Sequence, residues 1–143
     1  MAPTTPLRAK TTTTPYGNFE RPIDAIRLVE VAGACYAARW TTAHSKQLEE
    51  SMRAALTTRG FSFVEVISQC PTALGRRIGL GKAGDMLRWF KENSVPLHQA
   101  QRMTREELAG KIIVGEFTRR EFPTLTEAIY EVVKGAGKNV QAN

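Results

Sequence analysis

Long apolar runs are missing from this chain of 143 residues, and no stretch approaches the length a transmembrane helix needs. Cysteine is scarce: Cys35 and Cys70 are the only two, too few and too far apart for a disulfide framework. Histidine is limited to His44 and His98, and neither lies in an arrangement with a Ser or Cys nucleophile. Acidic residues are absent from Met1 to Gly17, a Thr-rich stretch carrying Arg8 and Lys10, so a transit peptide has to be weighed. Three prolines and the Thr11–Thr14 run make that stretch a poor amphipathic helix, and it has no apolar core for a secretory signal. It reads as extended irregular chain, and the protein as cytoplasmic.

What is present is ordinary for a soluble domain: 42% hydrophobic and 24% charged residues, in a length that supports a single core. The formal charge is +6, which admits nucleic acid, an anionic surface or an acidic protein as partner. The basic residues are scattered apart from Arg76-Arg77 and Arg119-Arg120, with no Lys/Arg stripe interleaved with aromatics. That argues against nucleic acid.

Four of the seven prolines (Pro3, Pro6, Pro15 and Pro22) fall in the first 22 residues and preclude regular helix there. Tyr16-Gly17-Asn18-Phe19 reads as a turn that packs on something. Asp24 is a candidate N-cap for a helix to about Ala32, ended by Gly33, with Ile26, Val29 and Ala32 near helical spacing. Cys35–Trp40 reads as a short strand, with Cys35 a small buried residue. Leu48, Met52, Ala55 and Leu56 outline the apolar face of a helix opened at Thr42 or Ser45 and stopped by Gly60. Phe61–Ile67 is dense in aromatic and β-branched residues, the pattern of a strand buried largely on both faces. Helix, Gly, then apolar strand marks an α/β unit with parallel strands. Ser68–Gly81 reads as a loop and Ala83–Asn93 as a helix with Met86, Leu87 and Phe90 inward. Two capping boxes, Thr104–Glu107 and Thr124–Glu127, each predict a helix start, the second helix closing at Gly135 with Ile129, Val132 and Val133 on one face. Ile112–Val114 is the last strand, and the tail to Asn143 is expected to fray.

Ligands of parallel α/β proteins sit at the carboxyl ends of strands. Ser68-Gln69-Cys70-Pro71-Thr72 holds that place after the most apolar strand. A Cys before Pro suits a metal ligand, because Pro71 stiffens the exit and narrows the conformations of Cys70. Arg76 and Arg77 nearby would favour the thiolate. A structural Cys at a strand end is the plainer alternative, since one Cys cannot hold a cluster by itself. Gly75–Ala83 mimics a phosphate loop and fails it: Arg76 stands at the first Gly position and Ala83 replaces the magnesium-binding hydroxyl. His44, near a helix N-terminus, is expected neutral, and His98 exposed in a loop. Glu65, inside an apolar strand, must find a partner or face an opening.

Longer ordered motifs carry a resemblance. Pro3-Thr4-Thr5-Pro6, Thr11–Asn18, Glu20-Arg21-Pro22, Gly60–Val66, Gln69-Cys70-Pro71-Thr72 and Gly75-Arg76-Arg77 together resemble the β subunit of the 2-oxoacid:ferredoxin oxidoreductases. Within that family the nearest look is to the 2-oxoglutarate enzymes. Trp89–Pro96 and Gly110–Phe117 extend the match to nearly the whole chain. The resemblance implies an α/β fold: residues 1–69 as the C-terminal part of a parallel-sheet thiamine diphosphate-binding domain, and residues 70–143 as the C-terminal region of the β subunit.

It also implies oxidative decarboxylation of a 2-oxoacid with coenzyme A, dependent on thiamine diphosphate and Mg2+, with electrons passing through a 4Fe–4S cluster to ferredoxin. The implied partners are an α subunit, ferredoxin, the 2-oxoacid and coenzyme A, with no nucleic acid and no membrane. Cys70 matches the last of four cluster cysteines. The other three, a Gly-Asp-Gly magnesium motif and its downstream Asn match family positions ahead of Met1. The chain alone is therefore expected to bind neither magnesium with thiamine diphosphate nor an intact cluster. No catalytic or cofactor-binding residue is assigned. Departures from the family pattern are Ala2 for Ser, Arg8 where Gly is common, and Ala43 where an aromatic is common. An alternative reading is a non-catalytic interaction fragment whose basic loop Arg76–Lys82 meets acidic ferredoxin or an α subunit.

Overall fold

The computed structural model describes residues 4–77 and 79–140. Ala2, and the tail residues expected to fray after position 140, lie outside the described residues. A four-stranded sheet organises the chain in the order β2-β1-β4-β3, with β1 at Tyr36–Thr41, β2 at Ser62–Ile67, β3 at Ser94–Pro96 and β4 at Ile112–Arg119. β1 and β2 run parallel, as do β3 and β4, and the two pairs meet antiparallel at β1 and β4. The expected parallel α/β unit is β1, helix α2 (Ser45–Thr57) and β2. Helices α1 (Ala25–Val31), α3 (Ala83–Asn93), α4 (Leu97–Ala100) and α5 (Leu125–Val140) complete the fold.

Side chains alternate across a strand, so the neighbours of β1 assign its two faces. Ala37 packs with Ile26 and Ala34 in a core that Val29, Phe63 and Phe117 border, which places α1 on that side. Arg39 shares the face. On the other side Trp40 donates its indole N–H to Ser51 of α2 at 2.7 Å. Strand β1 is thus covered twice, and its small Ala37 and Ala38 leave room for both layers.

Glu65 finds its partner across the β1–β2 register. Arg39, directly opposite, donates from Nε to Glu65 at 2.5 Å and from Nη2 to Asp24 at 2.7 Å, with its guanidinium 5.5 Å from the Phe117 ring centre. Asp24 precedes α1 but makes no side-chain capping bond; its carboxylate faces Arg39 and Arg27 instead.

Several expectations are revised. Strand β2 lies at the sheet edge and is half-buried, because neighbouring helices shield only part of it. The apolar stripe of α2 is split: Leu48 and Ala55 turn inward, while Met52 and Leu56 are exposed. The Thr104 box forms both reciprocal bonds, at 2.7 and 3.3 Å, yet opens only turns. The Thr124 box does open a helix, but α5 continues through Gly135 to Val140. Ile129, Val132 and Val133 of α5 are exposed. His98 is exposed as expected, but on α4 rather than in a loop.

The N-terminal segment is held by Asn18. Its buried amide donates to Thr5 and Glu20 carbonyls at 2.8 and 3.0 Å and accepts from the Glu20 N–H. Tyr16 and Phe19 are exposed. Arg8 is the one described non-glycine residue with positive φ, at 64°.

Candidate functional site

Parallel pairing brings the carboxyl ends of β1 and β2 to one place, with Thr41 opposite Ile67. Two segments leave the sheet there: Thr42–His44 toward α2, and Ser68–Cys70 toward α3. The Thr42 N–H donates to the Ile67 carbonyl at 3.1 Å, one rung beyond the strands, and its hydroxyl donates to the side-chain carbonyl of Gln69.

Cys70 follows, exposed, and enters a π-helical turn at Pro71–Gly75. The turn closes with Gly75 N–H donating to the Cys70 carbonyl at 2.8 Å. Such turns are rare and cluster at functional sites. Gly75 is buried, and a side chain there would meet the Leu80 carbonyl at 2.5 Å and Met86 Sδ at 2.9 Å. The Cys70 thiol is lowered from its ordinary pKa, first by the backbone N–H of Leu74, then by that of Ala73, with a smaller contribution from the Thr72 side chain. The expected thiolate stabilisation is present, but backbone dipoles supply it rather than Arg76 and Arg77. An exposed thiol with a lowered pKa is suited to donate to a metal. It fits a single ligand position: among the described residues no group of three or more His, Cys, Asp or Glu could hold a metal ion.

Residues 2–66 match the family described as thiamine pyrophosphate enzyme, C-terminal TPP binding domain. Over 134 residues the chain is 46% identical to 2-oxoglutarate synthase subunit KorB of Methanocaldococcus jannaschii, covering 94% of this chain and 50% of that one. It is 48% identical over 133 residues to the subunit of the same name from Methanothermobacter thermautotrophicus, covering 93% of this chain and 46% of the relative. Over nearly its whole length the chain is similar to these 2-oxoglutarate synthase subunits. It spans about half the length of the curated relatives it matches. A solved 2-oxoglutarate:ferredoxin oxidoreductase from Magnetococcus marinus, with 2-oxoglutarate, coenzyme A and succinyl-CoA bound, superposes with a TM-score of 0.71. At 23% identity, covering 95% of this chain and 47% of that one, it supports the fold.

The remaining polar residues take subordinate places. His44 sits at the start of α2, with Nδ1 2.8 Å from the Thr41 hydroxyl and its ring tilted against Trp40. Burial, and then the Lys91 charge, hold its pKa below the ordinary value, so the expected neutral form stands, for reasons of burial and charge. Cys35 is buried as expected and lies against Gly60. The mock phosphate loop has Arg76, Arg77 and Lys82 exposed.

A cleft of about 670 Å³ lies at the opposite end of β1 from Cys70. It is lined by Arg59, Arg119 and Arg120 against Glu121, Glu127 and Glu131, so its charges cancel and it offers no anion site. Sequence reasoning singled out Cys70 and Glu65 but missed Thr42 and Arg39. The strand alternation that pairs Arg39 with Glu65 would have found the second once β1 and β2 were aligned. Nothing local points to the first.

Proposed function

We propose that this chain is part of the β subunit of an enzyme that oxidatively decarboxylates a 2-oxoacid, 2-oxoglutarate by its likeness to the 2-oxoglutarate synthase subunits. Coenzyme A would be the acyl acceptor and ferredoxin the electron acceptor. The observation that carries the reading is identity of 46% and 48% to two 2-oxoglutarate synthase subunits over nearly the whole chain. Thiamine diphosphate with Mg2+ would supply the decarboxylation chemistry, and a 4Fe–4S cluster the path for electrons. Toward the cluster this chain offers the exposed Cys70 thiol, whose pKa the backbone of the π-helical turn lowers. Toward magnesium it offers no ligand set among the described residues, and the Asn18 side chain is engaged by its own segment. Those ligands would come from outside this chain.

In this reading residues 1–69 are the C-terminal part of the thiamine diphosphate-binding domain and 70–143 the C-terminal region of the β subunit, the second contributing β3 and β4 to the sheet of the first. The edge of β2 and the exposed Val31, Leu56 and α5 side chains are consistent with a chain that works against other polypeptides, an α subunit among them. No helix of the described residues is long and apolar enough to cross a membrane, in keeping with a cytoplasmic enzyme.

The test is co-expression with a polypeptide carrying the other half of the subunit and with an α subunit. Ferredoxin or a viologen dye should then be reduced when 2-oxoglutarate and coenzyme A are supplied. Absence of turnover after confirmed assembly would overturn the proposal. The same exposed apolar residues, with the basic Arg76 and Arg77, favour an interaction module as the second reading. Its binding to acidic ferredoxin would weaken as salt rises, and salt-independent binding would argue against it.

A further inference from the structure

We infer that Thr42 and Gln69 form a clasp that fixes the direction of Cys70, and that both are positioning residues for the metal ligand. The inference rests on the reading of Cys70 as a cluster ligand and deepens it. Ser68, Gln69 and Cys70 leave β2 beyond its last rung, where no strand pairing would hold them. Thr42 holds them from both sides of Ser68: its N–H bonds the Ile67 carbonyl and its hydroxyl bonds the Gln69 side chain. Both residues are half-buried, so water competes weakly for that bond. The downstream side is held independently, since Gly75 N–H bonds the Cys70 carbonyl and Pro71 limits the backbone before it. A ligand clamped on both sides presents its sulfur in one direction, which a shared cluster requires. Removing the upstream clamp alone should free that direction while leaving the sheet intact.

Thr42→Val keeps the branched shape and the backbone bond to Ile67, and removes only the hydroxyl. Gln69→Leu removes the acceptor. In the 143-residue chain, protection of the amide at position 42, which bonds the Ile67 carbonyl inside the clasp, should fall roughly fivefold in either variant, the loss of one neutral hydrogen bond. The double variant should go no further, and Thr42→Ser should restore protection. In the assembled complex, Thr42→Val should shift the paramagnetic resonance signal and midpoint potential of the reduced cluster, with Thr42→Ser returning both. A role confined to holding the sheet would move neither. If Thr42→Val loosens exchange across the whole sheet, Gln69→Leu, which leaves the strands untouched, decides the matter. An unshifted cluster signal in both variants, or additive exchange effects, overturns the clasp. Cys70→Ser separates the two claims: a cluster that survives it intact overturns the ligand reading itself, whereas its loss with Thr42→Val silent overturns only the positioning.

Discussion

Replacing Arg39 with alanine tests whether the β1–β2 pair is held by its buried charge. Arg39 is 15% exposed and Glu65 20%, so the carboxylate left behind has little water to turn to. Removing one partner of such a pair costs about 3–5 kcal/mol when burial is complete. Partial exposure lowers that to about 2–3 kcal/mol. The contact with Phe117 adds about 0.5 kcal/mol. Asp24, 43% exposed, adds little, because solvent screens it. A total of about 3 kcal/mol follows, or a fall of roughly 10 °C in Tm for a domain of this size. Urea denaturation followed by tryptophan fluorescence measures it, since Trp40 neighbours Arg39 in the strand. Arg39→Met with Glu65→Leu should recover most of the loss, because an apolar pair incurs no desolvation. Arg39→Lys should lie between, having charge but no fork to span two carboxylates. A loss under about 1 kcal/mol, or a double variant as unstable as Arg39→Ala, would refute the reasoning.

Arg8→Gly should stabilise the chain by about 0.5–1 kcal/mol, because relief of the left-handed backbone at φ 64° exceeds the entropy glycine brings to the unfolded state; thermal melting reads it. Gly60→Ala should destabilise by about 2–4 kcal/mol, since φ is +101° and the new methyl would overlap Cys35 Sγ; Cys35→Ala should restore part of this in chemical denaturation. Because His44 has a lowered pKa in the fold, its neutral form is favoured there and the unfolded chain binds the proton first. Its stabilisation is present above the unfolded value of about 6.5 and is lost as pH falls from there through the folded value. Tm measured from about pH 8 to about pH 5 should therefore fall more steeply in the parent than in His44→Gln. Ser51→Ala should lose about 1–2 kcal/mol by leaving the Trp40 indole N–H unpaired, with a shift in tryptophan emission as a second readout.

Local chemistry in the chain specified its elements. Gly33, at positive φ, stands directly after the C-cap of α1 as a stop signal should, whereas α2 ends at Thr57 with Thr58 as C-cap, so Gly60 falls one residue beyond the expected stop position. The Thr124 box opens α5, and Met86 and Phe90 face inward from α3 as their spacing required. Cys70 was legible as a stiffened thiol past a strand end, because a Cys-Pro pair and a strand pattern are both short-range signals. The sheet order was not legible. Whether β2 is an edge or a centre depends on which strand lies beside it, and antiparallel β4 takes the other side of β1 from far along the chain. For the same reason the apolar stripe of α2 did not reveal that Met52 and Leu56 have no cover among the described residues. Nor could Thr42 be read as the neighbour of Gln69, 27 residues away, until parallel pairing set Thr41 against Ile67. Periodicity and capping act within a few residues, so the sequence by itself determined helices, strands and their ends. Register, edges and the hydrogen bonds around Cys70 join distant segments, and only the packed sheet decided them.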